Sequence, residues 1–297
     1  MTFESKKELT TYLWLHRDIR ELKLSNMRWA DEGLPALPLS LTSLVIENCP
    51  WLAQLPALPP CLKTLTLDRC PSISSFGQLP EGLSALHLYF CGGLARIDRL
   101  PSRLSRLSIM GSPRLVRLPD LPAGLESLTL HRISLELLPG LPARLEELDV
   151  RHNDEILELP PLPASLRKLF VDRCFQLDRS PELPDNLTRL YLRGCPLMAR
   201  LPVLPHSLNS LELFDLRNLS AMPAIPDSVT GIALYNLPSL GSLGRLPRSL
   251  SHLHISQCTA LVDLPELPGS VQSVYVSGCP QLVGKEIKIG GTSIFIG

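Results

Sequence analysis

Cysteines are the residues best suited to chemistry in this 297-residue chain, which carries eight. Seven of them, Cys49, Cys70, Cys91, Cys174, Cys195, Cys258 and Cys279, recur at 21 residues or close to a multiple of it. Regularly spaced thiols suit three chemistries. Zinc binding needs paired ligands of the C-x-x-C kind, and no such pair occurs. Disulfides need an oxidising compartment, and Met1–Glu8 leads into no apolar secretory core. Stacked neighbours such as Cys49 and Cys70 would lie within bridging range, but side chains on a ladder run parallel rather than toward each other. A nucleophilic thiolate needs a partner base, and none stands at a matching spacing. The remaining reading is structural: a small side chain that donates weakly to turn carbonyls. Ser112 and Asn153 hold the same place in other copies, and Met27, Ile133, Leu216 and Leu237 hold it without a donor. Cys61 falls outside the series and reads as a free surface thiol.

Other motifs fail on spacing. Gly278 and Gly284-Lys285-Glu286 imitate a phosphate loop, with one intervening residue too many and Glu where Ser or Thr would hold magnesium. Neither H-E-x-x-H nor G-x-S-x-G occurs. The expectation is a protein with no catalytic residue, no metal site and no cofactor, and therefore not an enzyme.

The elements that position these residues repeat. An apolar residue opens the unit L-x-x-L-x-L-x-x-C at Leu41, Leu62, Leu83, Leu104, Leu125, Leu145, Leu166, Leu187, Leu208, Val229, Leu250 and Val271. The step is 21 residues except for 20 between Leu125 and Leu145. Ile19, Leu22, Leu24 and Met27 form a degenerate earlier copy, so there are about thirteen. Each unit has two halves. The L-x-x-L-x-L half alternates like a half-buried strand. The other half is Pro-rich, as in Leu118-Pro119-Asp120-Leu121-Pro122, with a proline three residues before every opening apolar residue from Pro38 to Pro268. Proline cannot donate to a ladder, so this half is extended or polyproline-like. One unit cannot bury its leucines alone, whereas stacked units can. The expected fold is a solenoid with a parallel β ladder on a concave face and a Pro-rich convex face. Composition agrees. With 44% hydrophobic residues the chain is not disordered, and 29 prolines exclude a helical bundle.

The ladder face presents the middle residue of L-x-L and the two that follow it. These slots hold Tyr89, Phe90, Phe170, Tyr191, Phe214, Tyr235 and Tyr275, which include four of the five tyrosines. His254 joins them, as do Arg151, Arg173 and Arg193, interspersed with Asp149, Asp172, Glu212 and Asp215. Aromatic rings and arginines are what protein interfaces enrich. The 29 basic and 29 acidic residues cancel, which excludes a phosphate-tracking nucleic-acid binder. No apolar run reaches the ~18 residues of a membrane helix, so no membrane insertion is expected.

The pattern Leu-Pro-x-Leu-Pro-x-x-Leu-x-x-Leu-x-Leu-x-x-Cys, over residues 19–282, resembles the leucine-rich repeat family. Within it the pattern is most similar to the short repeats of bacterial type III effectors of the YopM and IpaH/SspH type, which favour Asn where this chain mostly has Cys. The resemblance implies a protein-binding scaffold: a virulence effector or effector module, delivered by type III secretion into host cytoplasm, that docks a host protein on its concave face. Two alternatives stay open. One is the recognition domain of a larger enzyme such as a ubiquitin ligase, although none of the eight Cys has the Asp two residues on that those ligases carry. The other is the ligand-sensing segment of an intracellular immune receptor. The ends read as caps. Ser5-x-x-Glu8 is a capping box opening a short helix within residues 1–18, and residues 283–297 alternate around Gly290-Gly291 like a hairpin.

Overall fold

The computed structural model describes residues 2–27, 29, 33–289 and 292–295. A single α-helix among these, α1 (Lys6–Leu15), opens the chain. The Ser5 side chain accepts from the Glu8 N–H at 3.2 Å, while the Glu8 carboxylate reaches back to the N–H of Glu4 at 2.8 Å rather than to that of Ser5. Leu9 and Leu13 form its buried stripe.

Two compact units follow from the contacts, Met1–Leu145 and Glu146–Gly297. They divide at the end of the repeat whose length drops to 20 residues. The first unit stacks β1 (Glu21–Ser25), β2 (Ser43–Glu47), β3 (Thr64–Asp68), β4 (Ala85–Tyr89), β5 (Arg106–Ser112) and β6 (Ser127–Ile133) in chain order, all parallel. The second stacks β7 (Glu147–Arg151), β8 (Lys168–Asp172), β9 (Arg189–Arg193), β10 (Ser210–Phe214), β11 (Gly231–Tyr235), β12 (His252–Ser256) and β13 (Ser273–Ser277) in the same way. An antiparallel pair, β14 (Glu286–Ile289) and β15 (Thr292–Phe295), ends the chain. The Leu267 N–H donates to the Lys288 carbonyl at 2.8 Å, which ties β14 to the Pro-rich half of the repeat before it.

The sequence period explains each layer. In the third copy, Leu62, Leu65, Leu67, Cys70 and Ile73 are all fully buried, and the same places are buried in its neighbours. Each such side chain contributes about 1.5–3 kcal/mol on burial. Two turns close each repeat. In all twelve copies with the proline, its carbonyl accepts from the N–H of the opening apolar residue, for example Leu62 to Pro59 at 3.1 Å and Leu166 to Pro163 at 3.0 Å. The proline needs no N–H for this, since it supplies only an acceptor. A second turn starts at the cysteine position, as in Leu52 to the Cys49 carbonyl at 3.1 Å, and Pro50 takes the place in it that favours a fixed φ.

Between strand and cysteine the backbone enters the left-handed region. Asn26, Asn48, Arg69, Phe90, Arg132, His152, Arg173, Asp215, Asn236 and Gln257 have φ of 51–56°, and Gly111, Gly194 and Gly278 do the same in the other copies. A side chain there costs roughly 1–2 kcal/mol. The kink points the next residue into the core, and its own N–H donates to the next repeat, as from Phe90 to the Met110 carbonyl at 2.7 Å. The buried thiols complete the turn. Cys195 donates to the Arg193 carbonyl at 3.4 Å, and Cys70 to the carbonyls of Asp68 at 3.5 Å and Ile46 at 3.9 Å.

Candidate protein-interaction face

Parallel pairing in register lays the outward residues of the second unit in rows across its strands. One row runs Asp149, Phe170, Tyr191, Glu212, Ala233, His254 and Tyr275. The next runs Arg151, Asp172, Arg193, Phe214 and Tyr235. Because neighbouring strands lie about 4.8 Å apart, rings in adjacent copies must touch. They do: centroids are 6.1 Å apart for Phe170–Tyr191, 5.4 Å for Tyr191–Phe214 and 6.3 Å for Phe214–Tyr235, all tilted. The contact Tyr191–Phe214 is diagonal, stepping from one row to the other.

Arginines frame this run of rings. The Arg151 guanidinium lies 5.8 Å from the Phe170 centroid and 5.9 Å from that of Tyr191, and Arg189 lies 6.0 Å from Phe170. Arg151 is held in place by two parallel bonds to Asp149, at 2.7 and 2.9 Å, and that carboxylate raises its pKa further above the ordinary value. Arg193 sits between two carboxylates, 3.9 Å from Asp172 and 3.5 Å from Asp215. Asp172 is nearly buried, and its Oδ1 has no hydrogen-bond partner.

The structure joins Arg151, Phe170, Tyr191, Arg193, Phe214 and Tyr235 into one patch. Arg173 borders it in the left-handed kink, against Gly194: a Cβ on that glycine would approach the Arg173 Cγ to 3.1 Å. His254 and Tyr275 form their own ring pair at 4.5 Å. Tyr89 and Phe90 lie in the first unit. Tyr89 stacks on His87 at 6.0 Å, and the half-exposed Phe90 leans over Gly111, whose missing Cβ leaves it room. The depth of Asp172, the part played by Arg189 and the left-handed kink are additions to the sequence reading. A signal for the kink was present. Six of its thirteen positions are Asn or Gly, the residues that adopt it most readily.

The candidates for covalent chemistry are quiet. Burial pushes the thiols of Cys70 and Cys174 up to about 12 and those of Cys91, Cys195 and Cys258 up to about 11, so no thiolate forms near neutrality. Cys61 is exposed. Ser251 Oγ meets His252 Nδ1 at 2.8 Å, but the hydroxyl donates to the Thr230 carbonyl, so the imidazole is not positioned to take its proton. Among the described residues no group of three or more His, Cys, Asp or Glu could hold a metal ion, and no helix is long and apolar enough to cross a membrane.

Thirteen copies of a strand and a left-handed kink, joined by twelve Pro-rich returns, define a leucine-rich-repeat solenoid. No family model matches the chain, and no curated protein matches it either. Solved structures do match. YopM from Yersinia enterocolitica WA-314 is similar at 29% identity with a TM-score of 0.63, over 86% of this chain and 61% of that one, so the chain spans less than two thirds of its length. YopM from Yersinia pestis, described as a leucine-rich effector protein, is similar at 25% identity with a TM-score of 0.50, over 89% of this chain and 90% of that one.

Proposed function

We propose that this protein is a non-enzymatic scaffold that binds another protein on its ladder face, the concave side expected of such a solenoid. In this reading it is an effector, or the recognition module of one, carried by a specialised secretion system into host cytosol. The observation that carries the docking surface is the unbroken contact of Phe170, Tyr191, Phe214 and Tyr235, framed by Arg151. The four rings are half-buried on the ladder face, and aromatic rings beside arginines are what protein interfaces enrich. Support for the effector role comes from the likeness to YopM, which is itself described as an effector.

The test compares host proteins retained by the wild-type chain with those retained by a variant carrying Ala at Phe170, Tyr191, Phe214 and Tyr235. A control variant carries Val203→Ser on the Pro-rich side, where that valine is exposed. The expected result is a set of proteins retained by wild type and by the control, and depleted at least tenfold on the ring variant. Equal retention by all three would place the docking surface elsewhere.

A further inference from the structure

The patch is neutral by formula but not by layer. On β7–β10, Asp149, Asp172, Glu212 and Asp215 face Arg151, Arg189 and Arg193, and Glu147 faces Lys168. In each of these ion pairs the cation stands higher. The Asp149 and Asp172 side chains are 13% and 10% exposed, whereas Arg193 is 40% and Arg189 52% exposed. Pairs outside the ladder face also keep the cation outermost, Arg99 at 74% against Glu81 at 49% and Arg245 at 65% against Asp227 at 53%, but their carboxylates are far more exposed than those of Asp149 and Asp172. Beside the rings the ladder thus sinks Asp149 and Asp172 between strands, leaves Glu212 and Asp215 at 31%, and keeps Arg189 and Arg193 as the outermost charges. Arg173 adds one more. It is exposed, no ion pair joins it to an acidic side chain among the described residues, and the left-handed kink holds it at the border of the rings.

We infer that the partner presents an acidic segment: aspartate or glutamate carboxylates interleaved with apolar side chains, the latter seated on the rings. This rests on the ladder face being the docking surface, and it adds the charge of what docks. A carboxylate approaching from solvent meets Arg173, Arg189 and Arg193 before it meets Asp149 or Asp172. Forked guanidinium groups take carboxylates through two hydrogen bonds. A cationic segment would meet the same arginines and be repelled, and the carboxylates that could attract it lie below them. Complementarity of this kind acts on selection and encounter rate, and it is screened by salt.

A display library of random twelve-residue peptides tests this without knowledge of the natural partner. It is panned on wild type, on the four-ring Ala variant and on Arg173→Glu/Arg189→Glu, two exposed positions whose change leaves the core untouched. Circular dichroism checks that each variant is folded. The wild-type pool should shift by about two charges toward the acidic side of the unselected library, and raising salt from about 50 to 500 mM should reduce its retention several-fold. The double arginine variant should select a pool with no acidic shift. A neutral, basic or unenriched wild-type pool overturns the inference, as does an equally acidic pool on the arginine variant. If the ring variant selects the same acidic peptides as wild type, the docking surface itself is misplaced. If it loses them while the wild-type pool is not acidic, the surface stands and only the charge of the partner is wrong.

Discussion

Raising the pH should unfold this protein through its buried thiols. Cys70, Cys91, Cys174, Cys195 and Cys258 start from an ordinary value of 9.0 and are pushed up to about 11 or 12 by burial. A group whose pKa is raised by folding contributes stability that is complete below its unfolded value and disappears as pH climbs toward its folded one. The window therefore opens at pH 9. At pH 10 the unfolded chain has released about nine tenths of each of these protons and the folded chain almost none. Five thiols then give a difference of about four protons, or a slope of about 5 kcal/mol per pH unit. Integrated from neutrality, the loss at pH 10 is about 7 kcal/mol, comparable to the whole stability of many domains. Urea unfolding followed by circular dichroism at pH 8, 9, 9.5 and 10 should show the midpoint collapsing across that range. Cys195→Ala should remove about one proton, or ~1.4 kcal/mol per pH unit, from the slope. In the native state at pH 8 a thiol-reactive chromophore should modify Cys61 alone, and all eight cysteines only in denaturant. A midpoint that stays flat between pH 8.5 and 10 would refute the reasoning, since ladder thiols that titrate normally cannot be sealed in the core.

Two further outcomes follow from local geometry. Gly93 opens onto the preceding repeat, where an added Cβ would overlap the Pro71 carbonyl oxygen. Gly93→Ala must therefore displace backbone, and thermal unfolding should register a loss of about 2 kcal/mol or more, while the same change at Gly92, where a Cβ meets open space, should cost well under 1. His87 is held below the ordinary histidine pKa, first by burial and then by Arg106. Its neutral form is the one the fold accepts, so its contribution is present above about pH 6.5 and is lost as pH falls below that value. His87→Gln should flatten the decline in denaturant midpoint between pH 6.5 and 5, and an unchanged decline would mean that other groups cause it.

Much of the fold is legible because a 21-residue period ties each physical requirement to one residue type. Leu65 and Leu67 point inward since alternation demands it, Pro59 precedes the turn it accepts for, and Cys70 is buried where its thiol donates to the Asp68 carbonyl. Even the division into two units falls where one residue is missing from the period. The left-handed kink was harder to read, because tertiary hydrogen bonding overrides local preference. The Phe90 N–H reaches the Met110 carbonyl whatever side chain Phe90 carries, so Phe, Arg and Gln take a conformation that propensity reserves for Asn and Gly. The burial of Asp172 is likewise a property of three copies and not of one, because it arises only when register sets Arg151 on one side and Arg193 on the other.

The site follows from a division of labour within each repeat. The inward residues are nearly interchangeable from copy to copy, since a stack needs only similar apolar volume at each level. The outward residues are free of that requirement, and on β7–β11 they sort into a line of rings framed by guanidinium groups, which is the basis of the proposed docking surface. Bland strand preference would account for Phe170 and Tyr191 taken alone. It would not by itself set Arg151 over both of them with a two-bond clamp from Asp149, nor place Arg193 between Asp172 and Asp215. Register across β7–β10 brings these groups onto one face, and that is what makes it the candidate docking surface.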